Sequence, residues 1–208
     1  MSKKYGRTFH LPQSPGATSD DKIMPDVSKL AALGEVVATE KMDGENTTIH
    51  AGGCHPRSLD AGYHPSRDWM KGFAAGISPS LAADERIIGE YLFARHSVGY
   101  DALPSYFLGF AWVIGDVVQR WPDRLARFDE LGIFPVPELY RGPWRPDLPD
   151  TLATELDLQR QEGFVLRRSE AFLEADMPTH LGKYVRSGHV QSEIHWTKAP
   201  LVKNGLLS

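Results

Sequence analysis

Lys41 follows a short apolar run and precedes an acidic residue and a glycine, in Ala38-Thr39-Glu40-Lys41-Met42-Asp43-Gly44-Glu45-Asn46-Thr47. This order places one amine at a strand end, with the glycine letting the chain turn tightly beside it, as a nucleophile requires. Lysine attacks only when neutral, so such a site is expected to lower the amine's pKa by burial or by a second cation. Taken alone, the segment equally describes a turn carrying a solvated lysine. Four more segments carry chemistry-capable side chains: Ile87-Ile88-Gly89-Glu90-Tyr91-Leu92-Phe93, Tyr106-Phe107-Leu108-Gly109-Phe110-Ala111-Trp112, Glu162-Gly163-Phe164-Val165-Leu166-Arg167 and Gly182-Lys183-Tyr184-Val185-Arg186. Glu90 lies in an otherwise apolar strand, where an unpaired carboxylate is costly, so a hydroxyl or a cation is expected to meet it. A structural ion pair would serve equally.

The elements that must position these residues are short β-branched or aromatic runs: 35–41, 47–51, 86–93, 106–114, 134–140, 162–168 and 182–186. A helix is expected from Pro122 through Leu125, Phe128 and Leu131 to a stop at Gly132. A second, capped by Asp150, would bury Leu152 and Leu156; a third would open at Ser66 or Asp68 around Trp69, Met70 and Phe73, although Gly72 and Gly76 weaken it. Strands and helices without regular alternation predict an α+β domain of antiparallel sheets with flanking helices. The Pro-, Ser- and Gly-rich first 26 residues read as an arm ahead of a core that begins near Glu35. The five tryptophans, Trp69, Trp112, Trp121, Trp144 and Trp196, are expected in or near the core.

The 208 residues, 41% hydrophobic and 24% charged, suffice for one sizeable core or two small ones and exclude a disordered chain. No apolar run approaches membrane-spanning length, and the start Met-Ser-Lys-Lys-Tyr-Gly lacks a secretion signal's apolar stretch, so a cytoplasmic protein is expected. One cysteine, Cys54, excludes an internal disulfide, and His50, Cys54, His55 and His64 match no standard zinc framework. The net charge of −4 announces no nucleic-acid binder, although a cleft can still gather the positive charge.

In this order the five segments resemble the motifs of covalent nucleotidyltransferases, the polynucleotide ligases and messenger-RNA capping enzymes. Lys41, Asp43, Gly44 and Asn46, with Glu40 before them and Arg57-Ser58 after them, resemble the ATP-dependent RNA ligases. The opening Tyr5-Gly6-Arg7-Thr8-Phe9-His10-Leu11-Pro12 and closing Gly188-His189-Val190-Gln191 resemble small RNA-ligase-like proteins of bacteria and their phages. The resemblance implies an ATP-grasp-like nucleotidyltransferase domain in which Lys41 attacks the α-phosphate of ATP and carries AMP as a phosphoramidate. AMP then passes to an RNA 5′-phosphate, and a 3′-hydroxyl displaces it. Lys183 would contact phosphate and help keep Lys41 neutral. Glu162 would hold Mg²⁺ or Mn²⁺, with Asn46 in its water shell; Glu90 would meet the ribose, Phe110 would stack on adenine and Arg57 would bind ribose or phosphates. Glu40 would help read adenine, Asp43 would support the lysine turn, and Arg7 and His10 would meet the RNA 5′ end or the ATP tail.

Two features depart from the family pattern. The last motif usually places two cations one residue apart, whereas here Lys183 is followed by Tyr184, Val185 and then Arg186 as the candidate second cation. Ala111 stands where relatives often carry an acidic residue. The expected organisation is one domain over 1–208, with an arm over about 1–26 and no C-terminal OB-fold domain. RNA affinity would then depend in part on an accessory protein, with the chain a monomer or weak oligomer. Two other functions fit the same residues: AMP transfer to a DNA end or a protein, and a non-catalytic nucleotide- or RNA-binding module.

Overall fold

The computed structural model describes residues 3–25, 27–31, 34–60, 62–188 and 201–207; His189, Val190 and Gln191 of the closing motif, and Trp196, lie outside them. The strands are β1 (Phe9–His10), β2 (Glu35–Glu40), β3 (Glu45–His50), β4 (Gly53–Pro56), β5 (Glu85–Tyr91), β6 (Phe107–Ile114), β7 (Val117–Val118), β8 (Phe134–Pro135), β9 (Glu138–Pro143), β10 (Gly163–Arg168), β11 (Phe172–Leu173) and β12 (Leu181–Val185). The helices are α1 (Ser28–Ala31), α2 (Asp68–Ile77), α3 (Trp121–Glu130), α4 (Leu148–Glu155) and α5 (Met177–His180). Among the described residues they form two sheets, one ordered β1-β12-β10-β2-β9 and the other β11-β7-β6-β5-β3-β4, with β8 beside β6. Pairing is antiparallel except for β1 on β12 and β8 on β6. This is an α+β fold of largely antiparallel sheets with flanking helices.

Strand β2 shows how the sheets are held. Its Val36 and Ala38 join a core with Leu148, Leu152, Phe164 and Leu166, while Val37 on the opposite face packs with Leu92, Leu108, Trp121 and Val136. A strand buried on both faces needs an unbroken apolar run, which Val36 to Ala38 supply. Strand β5 works the same way: Ile87 packs against Met70, Ala74 and Ile77 of α2, and Ile88 packs against Ala111 and Val113 of β6 together with Tyr5.

Several expectations are corrected. The run 134–140 is two strands in different sheets: β8 pairs with β6 and β9 with β2. Pro135 and Pro137 cannot donate to a ladder, so the chain leaves one sheet there and enters the other. The arm is part of the core: Leu11 and Met24 are fully buried, and β1 extends the first sheet. A two-residue strand is too short to show a period-2 pattern. Asp150 lies in the first turn of α4, whose N-cap position is Asp147. Helix α2 begins at Asp68, with Ser66 in a preceding 3₁₀ turn. Helix α3 ends as expected, with Gly132 at φ +66.

Candidate active site

The β2–β3 turn brings Lys41 into the lining of a cavity of about 330 Å³. Backbone bonds fix the turn: Lys41 N–H donates to the Gly163 carbonyl at 2.9 Å and Glu40 N–H to Pro137 at 2.8 Å. Asp43 anchors it to the segment after β5, accepting from Val98 N–H at 2.8 Å while its own N–H donates to Tyr100 Oη at 2.8 Å. Gly44 does not take the left-handed φ that a tight turn suggested. Its need for glycine is steric, because a Cβ would lie 2.5 Å from the Tyr91 carbonyl oxygen.

Lys41 Nζ donates to Glu162 Oε2 at 2.5 Å. Glu162 is 4% exposed and sits one residue before β10. Burial pushes the Lys41 ammonium toward neutrality, but the carboxylates of Glu162, Glu90 and Asp43 reverse this, and its pKa is raised. The expectation of a lowered pKa is therefore corrected: the amine rests as an ammonium paired with Glu162. Lys183 behaves oppositely, lowered by burial and then by Lys41. Burial raises Glu90 to about 8 against the pull of Lys41, and its Oε1 accepts from Gly44 N–H at 3.2 Å.

Glu40, Lys41, Asn46, Arg57, Glu90, Phe110 and Lys183 all line this cavity, as does Arg7. Glu40 Oε2 also accepts from Gln161 at 3.0 Å, and burial raises its pKa. Glu162 joins the site through Lys41. Arg186 is not brought to the cavity; its guanidinium donates to the carbonyls of Gln161, at 3.1 Å, and Ser187. His10 is buried behind the wall beside Lys183, its register partner across β1 and β12.

Sequence reasoning missed the apolar wall of Tyr5, Met42, Val136, Val165 and Leu181, and the cation Arg167. Alternation along β10 puts Val165 and Arg167 on one face, a signal that could have found both. Arg167 donates to the Phe110 carbonyl at 2.7 Å and to Thr39 Oγ1 at 2.8 Å, and its guanidinium lies 5.9 Å from the Phe110 ring centre. It thereby fixes the aromatic ring on the cavity wall.

Asn46 Oδ1 is buried without a hydrogen-bond partner among the described residues, and the Glu162 carboxylate lies across Lys41. No group of three or more His, Cys, Asp or Glu side chains among the described residues is arranged to hold a metal ion. The carboxylate of Glu162 and the amide oxygen of Asn46 are oxygen donors of the kind a hard cation takes.

Solved structures share this architecture. An archaeal ATP-dependent RNA ligase matches with a TM-score of 0.59 at 16% identity, covering 89% of this chain and 48% of that one. A mutant of the Naegleria gruberi RNA ligase, solved with ATP and Mn, matches at 0.56 and 14% identity, covering 81% and 54%. An Aquifex aeolicus protein described as a candidate ATP-dependent DNA ligase matches at 0.57 and 13%, covering 88% and 50%. The chain thus spans about half the length of these neighbours and shares their fold. No curated protein sequence matches it. The RNA ligase family model matches residues 34–185, and the chain belongs to that family.

Proposed function

We propose that this chain is the adenylylating domain of an ATP-dependent RNA ligase that works through a lysyl-AMP intermediate. The observation that carries the reading is Lys41, paired with Glu162 at 2.5 Å, at a cavity lined by Lys183, Arg57 and Phe110. Lys41 Nζ, once deprotonated, attacks the α-phosphorus of ATP; the P–N bond forms as the bond to pyrophosphate breaks. AMP then passes to an RNA 5′-phosphate, and a 3′-hydroxyl attacks that phosphorus to seal the strand and release AMP. Splitting one hard joining step into easier ones is the gain of covalent catalysis.

Each residue has a task. Phe110 offers a face to adenine, with Glu40 beside it, and Glu90 meets the ribose. Lys183 and Arg57 neutralise phosphate oxygens as charge builds in each transfer. Glu162, with Asn46 through water, would hold a divalent cation, which when bound would neutralise phosphate charge and engage the carboxylate now paired with Lys41. Lys41 must surrender its proton before it attacks, and Glu162 sets how readily it does so. The reading places the activity in the cytoplasm and in RNA repair; among the described residues no helix is long and apolar enough to cross a membrane.

The test is intact-protein mass spectrometry after incubation with ATP and Mg²⁺. Wild type gains one AMP, roughly 329 Da, and Lys41→Ala gains nothing, because the nucleophile is gone. No adduct with Mg²⁺, Mn²⁺ or GTP, after removal of any AMP already carried, overturns the reading in favour of a reversible nucleotide-binding module. Likeness to the Aquifex protein raises a DNA acceptor as the second reading. Offering the AMP-bearing enzyme 5′-phosphorylated RNA and DNA strands separates the two, since the 2′-hydroxyl is what distinguishes them.

A further inference from the structure

Residues 92–106 connect β5 to β6 without a helix or strand of their own. A connection of that length needs partners for its backbone, and such loops in compact domains are usually functional. The partners come from residues 201–207. Arg95 N–H donates to the Val202 carbonyl at 2.8 Å, Leu103 N–H to Gly205 at 2.9 Å, and Leu207 N–H to Leu103 at 2.9 Å, while isolated bridges join Ala94 to Lys203 and Leu103 to Leu206. The approach is close: a Cβ on Gly205 would lie 2.4 Å from the Asp101 carbonyl oxygen.

Asn204 is the centre of this contact. It is 4% exposed, and each of its polar groups is used. Its N–H donates to the Phe93 carbonyl at 3.1 Å and its Nδ2 to Leu92 at 2.7 Å. Its Oδ1 accepts from Tyr100 N–H at 2.9 Å, and its carbonyl from Tyr106 Oη at 3.2 Å. One end of the amide meets a donor and the other an acceptor, so only one orientation satisfies both. Gly205 N–H donates to the Tyr100 carbonyl at 2.7 Å, so both main-chain groups of Tyr100 are held by two adjacent residues.

Tyr100 carries that hold to the nucleophile. Its hydroxyl accepts from Asp43 N–H at 2.8 Å, and Asp43 Oδ2 accepts from Val98 N–H at 2.8 Å in the same connection. Met42, between Lys41 and Asp43, is buried in a cluster with Leu92 and Leu103, which Asn204 and Gly205 also grip. The turn after β2 therefore rests on a loop that residues 201–207 keep in shape. We propose that Asn204 is a positioning residue for adenylylation, fixing Tyr100, whose hydroxyl fixes Asp43 and thereby the turn that carries Lys41. The chemistry it serves rests on the ligase reading, whereas the hold on the turn does not.

The test uses the full chain carrying Asn204→Ala, Tyr100→Phe or both. Amide hydrogen exchange, read residue by residue, is expected to speed up at Asp43 and Val98 at least about tenfold in Asn204→Ala, and by less at Ile88 in the middle of β5. Each single variant is expected to lower the maximal adenylylation rate at least about tenfold with the KM for ATP within about twofold, since placement of the nucleophile is disturbed and not the binding of ATP. The double variant is expected to be no slower than the worse single one, because both residues act through one relay. A mere structural prop would lower the urea midpoint yet leave the rate of the folded enzyme and the exchange at the turn as in wild type. That result, or rate losses that multiply in the double variant, overturns the proposal. Tyr100→Phe keeps the ring and breaks the relay at its hydroxyl, so it decides the matter if Asn204→Ala does not fold. If wild type forms no adduct the ligase reading fails, and exchange at Asp43 and Val98 still decides whether Asn204 holds the turn.

Discussion

Lys41 lies in a field that keeps it charged: burial alone would neutralise it, but Glu162, Glu90 and Asp43 outweigh burial. The proton must leave before the amine attacks, so adenylylation is expected to rise with pH until Lys41 titrates. Glu162→Gln removes the leading anion, so the rising limb moves to lower pH while the maximal rate falls at least about tenfold through loss of the carboxylate. Pre-steady-state adenylylation across pH reads both effects. Glu90 makes a stability prediction. Its folded pKa of about 8 lies above the ordinary 4.5, so the native state keeps the proton across that window. The contribution is full below the unfolded value and lost as pH rises through the folded one, so stability falls from acid to mildly alkaline pH. Glu90→Gln cannot titrate; its urea midpoint is expected to match wild type near about pH 4.5 and exceed it near about pH 8.5. Lys41, Glu90, Phe110 and Lys183, which the fold brings to one cavity, were legible because each sits in a motif of fixed order. Asn204 was not, since a single amide outside every motif looks like any solvated loop residue.

At the scale of elements, β10 and β12 carry the site between them. Gly163 opens β10 directly after Glu162, and a Cβ there would meet the Tyr184 carbonyl oxygen at 1.9 Å. No side-chain adjustment relieves a clash with backbone. Gly163→Ala is therefore expected to force the two strands apart, cost about 2–3 kcal/mol in urea unfolding and reduce adenylylation at least about a hundredfold. Strands with strong apolar runs, such as β2, β5 and β6, were readable from residue type alone. The two-residue strands β1, β7, β8 and β11 were not, because pairing with a longer neighbour creates them and no local pattern announces them. The joined reading of 134–140 failed for the same reason: similar residues on either side of Val136 serve two different sheets.

For the whole molecule, the decisive contact is the one that ties the sheets together beneath the cavity. Arg167 on β10 reaches across to the Phe110 carbonyl on β6, while its guanidinium lies 5.2 Å from the Trp121 ring centre. Burial draws its pKa down to about 10, which leaves it charged at neutral pH. Arg167→Lys keeps a cation but cannot serve Phe110 and Thr39 with one planar fork. It is expected to cost about 1–3 kcal/mol in urea unfolding and to raise the KM for ATP, measured by adenylylation kinetics. The chain's far end contributes as well: Asn204 donates to the Leu92 carbonyl at 2.7 Å and accepts from Tyr100 N–H at 2.9 Å, supporting the residue whose hydroxyl accepts from Asp43. By itself the sequence determined the order of the chemical motifs and the α+β class, since these follow from residue type and short-range spacing, and its family resemblance singled out Lys41 as the candidate nucleophile. Only the tertiary structure decided that Lys41 rests as an ammonium, that Arg167 lines the cavity while Arg186 does not, and that Asn204 reaches Tyr100. Each of those depends on which groups from distant segments share a buried, low-dielectric space, and charge in such a space is governed by neighbours that no local pattern specifies.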